Sequence, residues 1–122
     1  MKRRILVVAV ALAVALCLAP SPATAHASLD HADPKVGSSL SSSPSAVTLV
    51  FTEGVEPAFS RIEVSDSRGN RIRTGDLEHP QADTLRVSLP SLGPETYKVH
   101  WAIISVDTHP TEGAFSFSVK AP

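Results

Sequence analysis

The sequence predicts an all-β domain, an antiparallel sandwich or barrel of about seven short strands. Three observations predict it. Apolar residues alternate with polar ones through most of the chain after residue 45. Clusters of Ser, Asp, Asn, Gly and Pro interrupt that alternation at regular intervals. No stretch beyond residue 25 carries a helical period.

Taken in order, "SSLSSSPS" at 38–45 reads as a polar loop. Val47, Leu49 and Phe51 then share one face, with Thr48, Val50 and Thr52 on the other. Phe59 leads into "RIEVSD", with Ile62 and Val64 inward and Arg61 and Glu63 outward. "DSRGN" at 66–70 predicts a hairpin turn between Ile62–Val64 and Arg71–Arg73. Leu85, Val87 and Leu89 form the next inward row, and "SLGPE" at 91–95 breaks it. In "TYKVHWAII", Tyr97, Val99, Trp101 and Ile103 face one way and Lys98, His100 and Ala102 the other. "AFSFSV" repeats the pattern with Phe115, Phe117 and Val119. Branched and aromatic side chains suit these rows because they fit a pleated, half-buried surface.

The first 25 residues have a different physics. Lys2, Arg3 and Arg4 precede an unbroken apolar run of 14 residues, Ile5 to Leu18, and small residues lead to Ala23-Thr24-Ala25. This is the layout of a secretory signal peptide cleaved after Ala25. The run is shorter than the 18 or so residues of a spanning helix. Cys17 follows Leu16, where lipid attachment favours a small residue, and Arg3-Arg4 alone does not specify twin-arginine export. The division is therefore 1–25 signal and 26–122 domain, with the product outside the cytoplasm and not integral to a membrane. Cleavage removes three of 11 basic residues and none of 12 acidic ones, leaving a formal charge of −4, which excludes a basic nucleic-acid surface. It also removes Met1 and Cys17, the only sulfur atoms. No disulfide can form, so any immunoglobulin-like sandwich here is a sulfur-free relative held by packing alone.

Five histidines remain, and their positions matter more than their number. Cleavage makes His26 the first residue. Its α-amine and ring Nδ1 then form a six-membered chelate, and the amine loses its proton readily near neutral pH. Cu(II) gains most from such nitrogens and prefers a tetragonal plane of N and O donors. Asp107 and His109 in "SVDTHP" are spaced i, i+2 beside a strand end, which aims both to one side of an extended segment. Together with His26 they supply three nitrogens and one oxygen. Without thiolate or thioether, no Cu(I) site is expected. Glu53 closes a strand and is a candidate weak ligand or hydrogen-bond partner of the site. His31, beside Asp30, is a lesser candidate ligand. His79 reads as surface loop, His100 as solvent-facing or supporting, and Trp101 as core.

These stretches resemble the CopC family of periplasmic copper-binding proteins. The resemblance runs from "HASLDHADPKVGSSL" through "VTLVFTEGVEP" to "LPSLGPETYKVHWAIISVDTHPTEGAFSFSV". It implies a small Greek-key β-sandwich that binds one Cu(II) through the residue matching His26, completed by those matching Asp107 and His109, with the acid matching Glu53 close by. It also implies copper resistance or uptake beside a membrane transporter of the CopD type. This chain lacks the methionines of family members that bind Cu(I), and carries Thr108 where Gly is common, a residue that tolerates fewer backbone angles. A plane filled by protein donors favours carriage or buffering over catalysis. Two alternatives stand beside this: a copper-brace oxidative enzyme like the polysaccharide monooxygenases, and a metal-free immunoglobulin-like interaction module.

Overall fold

The computed structural model describes residues 27–122; the expected signal peptide, 1–25, and His26 lie outside the described residues. Eight strands form two four-stranded sheets. They are β1 (Leu29–Asp33), β2 (Ser39–Leu40), β3 (Ala46–Phe51), β4 (Arg61–Ser65), β5 (Glu78–Gln81), β6 (Thr84–Ser88), β7 (Thr96–Ile104) and β8 (Pro110–Val119), with one 3₁₀ turn, Pro57–Phe59. One sheet has the order β1-β3-β6-β5 and the other β2-β8-β7-β4. Only β5–β6 and β7–β8 are hairpins between consecutive strands; every other connection crosses from one sheet to the other. No helix among the described residues is long and apolar enough to cross a membrane.

The rows expected to face inward do so. Val47, Leu49 and Phe51 of β3 are buried, as are Ile62 and Val64 of β4, and Leu85 and Val87 of β6. Tyr97, Val99, Trp101 and Ile103 of β7 meet Phe115, Phe117 and Val119 of β8 in the same core. Phe51 and Trp101 pack edge to face at 5.2 Å across the two sheets. The Tyr97 ring stacks on Phe117 while its hydroxyl donates to the Gly93 carbonyl at 2.7 Å. Burial is the main force raising that phenol above its ordinary pKa.

The strand count is eight, not seven, and the strands that alternation did not reveal are edges. β1, β2 and β5 each lie at the margin of a sheet, and β5 is exposed throughout. β5 has no apolar row to betray it, and β1 and β2 turn inward only Ala32 and, in part, Leu29 and Leu40. His79 therefore lies in an exposed strand and not in a loop, next to Pro80, which an edge tolerates. β2 emerges from the segment expected to be a loop and pairs parallel to β8, so the second sheet is mixed. The 66–70 turn forms as expected: the Asp66 carboxylate accepts from the Arg68 and Asn70 amides, and Gly69 takes φ +85°. Those backbone bonds, the Asn70 amide foremost, hold the Asp66 carboxyl below its usual range. Its second arm is only a single bridge, Ser65 to Arg71, and not a strand. Phe59 closes the 3₁₀ turn and is exposed.

Trp101 stands opposite Gly113 in the β7–β8 register. A Cβ at Gly113 would fall 2.5 Å from the indole Cζ2. The indole thus occupies the space that a side chain at 113 would need. Gly113→Ala is expected to displace Trp101 and cost about 1–3 kcal/mol as overpacking. Urea unfolding followed by the fluorescence of this single tryptophan measures it; an unchanged midpoint and emission maximum would contradict the packing described.

Candidate metal centre

Three segments converge at one end of the sandwich. The first is the start of the described chain. Ala27 is 0% exposed, and its carbonyl accepts from the Thr111 hydroxyl of β8 at 2.9 Å. The next residue, Ser28, exchanges bonds with the end of β3: its amide donates to Thr52 Oγ1 at 3.0 Å and its carbonyl accepts from the Thr52 amide at 2.9 Å. These bonds tie residues 27 and 28 to both sheets at once. On β8 the row that carries Phe115 and Phe117 farther along carries Thr111 here, whose hydroxyl holds the Ala27 carbonyl.

The second segment follows β3. Val55 forms a bridge with Ser105, and the Gly54 carbonyl accepts from the Val106 amide at 3.0 Å. Gly54 lies against the Val106 side chain, so the 53–55 run is pressed onto the loop that joins β7 to β8. Glu53 is half-buried and lines a cleft of about 670 Å³ with Ala27, Ser28, Thr52, Trp101, Thr111 and Glu112.

The third segment is that loop, Ser105 to His109. Asp107 Oδ2 lies 3.3 Å from His109 Nδ1, and the two side chains are 38% and 52% exposed. An oxygen and a nitrogen donor at this separation, open to solvent, suit neighbouring positions on one ion with bonds of about 2 Å. Asp107 Oδ1 accepts a short bond from the Ser105 hydroxyl. That bond is the main reason the Asp107 carboxyl is held below its ordinary range; partial desolvation opposes it, and His109 adds to it. The carboxylate is accordingly charged at neutral pH, as a metal ligand must be. Thr108 adopts φ +70°, the left-handed region that glycine enters freely and a β-branched residue does not. Its hydroxyl donates to the Asp107 carbonyl at 2.6 Å.

Asp107 and His109 are thus brought together, and Glu53 is brought to the same end. His26 lies outside the described residues, and among those described no group of three or more His, Cys, Asp or Glu is gathered for a metal. His31 sits exposed on β1, its Nδ1 2.7 Å from Asp30 Oδ2, and does not line the cleft. His100 faces outward, half-buried, with Nε2 3.4 Å from Glu112 Oε2. Two residues escaped the sequence reasoning. Ser105 left a signal, because it continues the inward row of β7 with a polar side chain. Glu112 left none, because it lies among the outward positions of β8.

Comparison with known proteins places the domain. A family model described as the CopC domain matches residues 29–120. Protein YobA of Escherichia coli (strain K12) is 38% identical over 99 residues, spanning 79% of this chain and 80% of YobA. Copper resistance protein C of Xanthomonas campestris pv. juglandis is 32% identical over 111 residues, spanning 80% and 83%. The crystal structure of CopC from Methylosinus trichosporium OB3b superposes with a TM-score of 0.72 at 32% identity, covering 78% of this chain and 94% of that one.

Thr108→Gly is expected to stabilise the protein by about 1 kcal/mol, since relief of left-handed strain exceeds the added freedom of the unfolded chain. A lower melting temperature would show that the Thr108 hydroxyl bond outweighs the strain. The second expectation concerns pH. Because the folded-state pKa of Asp107 is lowered, its contribution to stability is complete above the unfolded value near 3.8 and is lost as pH falls through the folded value. A carboxyl ¹³C titration of the metal-free protein should give an Asp107 midpoint below 3.8.

Proposed function

The chain belongs to the CopC family, and from that premise we propose that it is an extracytoplasmic Cu(II) carrier or buffer serving copper homeostasis. The proposed ligands are the α-amine and imidazole of His26, exposed by cleavage after Ala25, with Asp107 and His109. Glu53 is assigned a supporting or weak axial role. The observation that carries this is the burial of Ala27. The residue bonded to His26 is locked between the sheets by Thr111, and Thr111 is two residues from His109. The relative in Xanthomonas campestris pv. juglandis is named for copper resistance, which agrees with a protective or trafficking role.

The donor chemistry supports Cu(II) over Cu(I). Residues 26–122 contain no methionine or cysteine, and nitrogen with carboxylate oxygen suits the divalent ion. The Asp107 carboxylate is already ionised at neutral pH, so it has no proton to lose on binding. Four such protein donors would hold the ion as cargo, an arrangement suited to carriage and not to turning over a substrate. Delivery to a membrane copper transporter of the CopD type fits this role. The compartment proposed is the periplasm or its equivalent outside the cytoplasmic membrane.

The test is one residue long. Protein beginning at His26 is compared with protein carrying one extra alanine before it. The extension removes the α-amine from the chelate and should weaken Cu(II) binding by on the order of a hundredfold. The electron paramagnetic resonance spectrum should change with it. Equal affinity and an unchanged spectrum would rule out the terminal chelate.

A further inference from the structure

We propose that Ser105 is a positioning residue for the metal site, its buried hydroxyl setting the relative placement of Asp107 and His109 before any metal arrives. This rests on the Cu(II) function proposed above. Ser105 is 0% exposed, and Ser105 and Thr84 are the buried polar residues of the described chain. The Thr84 hydroxyl is used locally, on the carboxylate of the preceding residue, Asp83. Ser105 instead closes the whole loop onto itself. Its amide donates to the His109 carbonyl at 3.1 Å, and its carbonyl accepts from the Thr108 amide at 2.8 Å. Its hydroxyl accepts from the His109 amide at 3.2 Å and donates to Asp107 Oδ1.

A serine hydroxyl has one proton and two acceptor lone pairs. Two groups stand within reach of that proton, the Asp107 carboxylate and the His109 carbonyl at 3.2 Å. The charged acceptor makes the stronger bond and takes it. With Oδ1 engaged, Oδ2 is the oxygen turned toward His109 Nδ1. One side chain therefore selects which carboxylate oxygen is presented beside the imidazole and, through the His109 amide, fixes the backbone that carries that imidazole. Removing the hydroxyl leaves the two backbone–backbone bonds, Ser105 amide to His109 carbonyl and Thr108 amide to Ser105 carbonyl, but takes the acceptor from the His109 amide and frees the Asp107 carboxylate to rotate. The ion must then order a ligand that wild type presents already ordered.

The experiment uses protein beginning at His26, as wild type, S105A and S105T. Cu(II) affinity is measured by chelator competition, and the copper environment by electron paramagnetic resonance. S105A should bind about ten- to a hundredfold more weakly, as loss of a hydrogen-bond partner to a metal ligand does, with an altered copper hyperfine pattern. S105T, which keeps the hydroxyl, should return to within about threefold of wild type and recover its spectrum. Wild-type affinity and spectrum in S105A, or an S105T as impaired as S105A, would overturn the proposal. If S105A does not fold, S105A/T108G is compared with T108G by the same criteria. Wild type with one added N-terminal residue is run in parallel. If it binds like wild type, the terminal chelate itself fails and the Ser105 role falls with it. If it binds weakly while S105A is unimpaired, only the Ser105 role is overturned.

Discussion

The inward rows of β3, β7 and β8 are the constraint on which everything else depends. No disulfide can join the sheets from residue 26 onward, so they are held by side chains that alternate into one core. The rows do not stop where the large apolar residues stop. Val47, Leu49 and Phe51 are followed by Glu53. Tyr97, Val99, Trp101 and Ile103 are followed by Ser105 and then Asp107. Traced backward from Val119, Phe117 and Phe115, the β8 row continues through Gly113 and Thr111 to His109. The parity that builds the core also delivers the candidate site to one end of it.

At that end the core changes character over a few residues. Apolar packing gives way to hydroxyls and a glycine; the Trp101 indole takes the space at Gly113, and the Thr111 hydroxyl holds the start of the described chain. A buried hydroxyl must find partners or cost stability. Thr111 finds the Ala27 carbonyl, and Ser105 finds Asp107 and His109. The same bonds that satisfy buried polar atoms therefore set the groups that reach solvent. Thr108 fits this view, because its left-handed backbone closes the loop tightly enough for Ser105 to meet both ends.

Membership of the CopC family and the donors gathered at this end support the copper site proposed for it, and the charge balance agrees. A domain with a formal charge of −4 and a carboxylate ionised at neutral pH favours a cation over an anion or a nucleic acid. His31 and His100 are instead engaged by nearby carboxylates, Asp30 and Glu112, away from the loop. Five histidines in a small domain thus do not mean five ligands, and position in the strand rows separates the candidate in the loop from the others.

The sequence by itself determined the sandwich class, the inward rows of the strands that carry them and the 66–70 turn. These are local properties, written as a period of two along each strand or as turn residues at fixed offsets. Asp107 and His109 are set side by side by a turn and not by an extended strand, with Thr108 at φ +70° and the loop closed on Ser105. Tertiary structure alone decided the edge strands, because β5 is exposed throughout and β1 and β2 turn too few apolar residues inward, Ala32, Leu29 and Leu40, to impose a pattern. It also decided that Ala27 is buried against Thr111, 84 residues along the chain, and that Glu53 stands beside the β7–β8 loop. Contacts between residues so distant in sequence leave no periodic trace, since they arise only when two sheets close and one end of the core is filled by the strand that enters there.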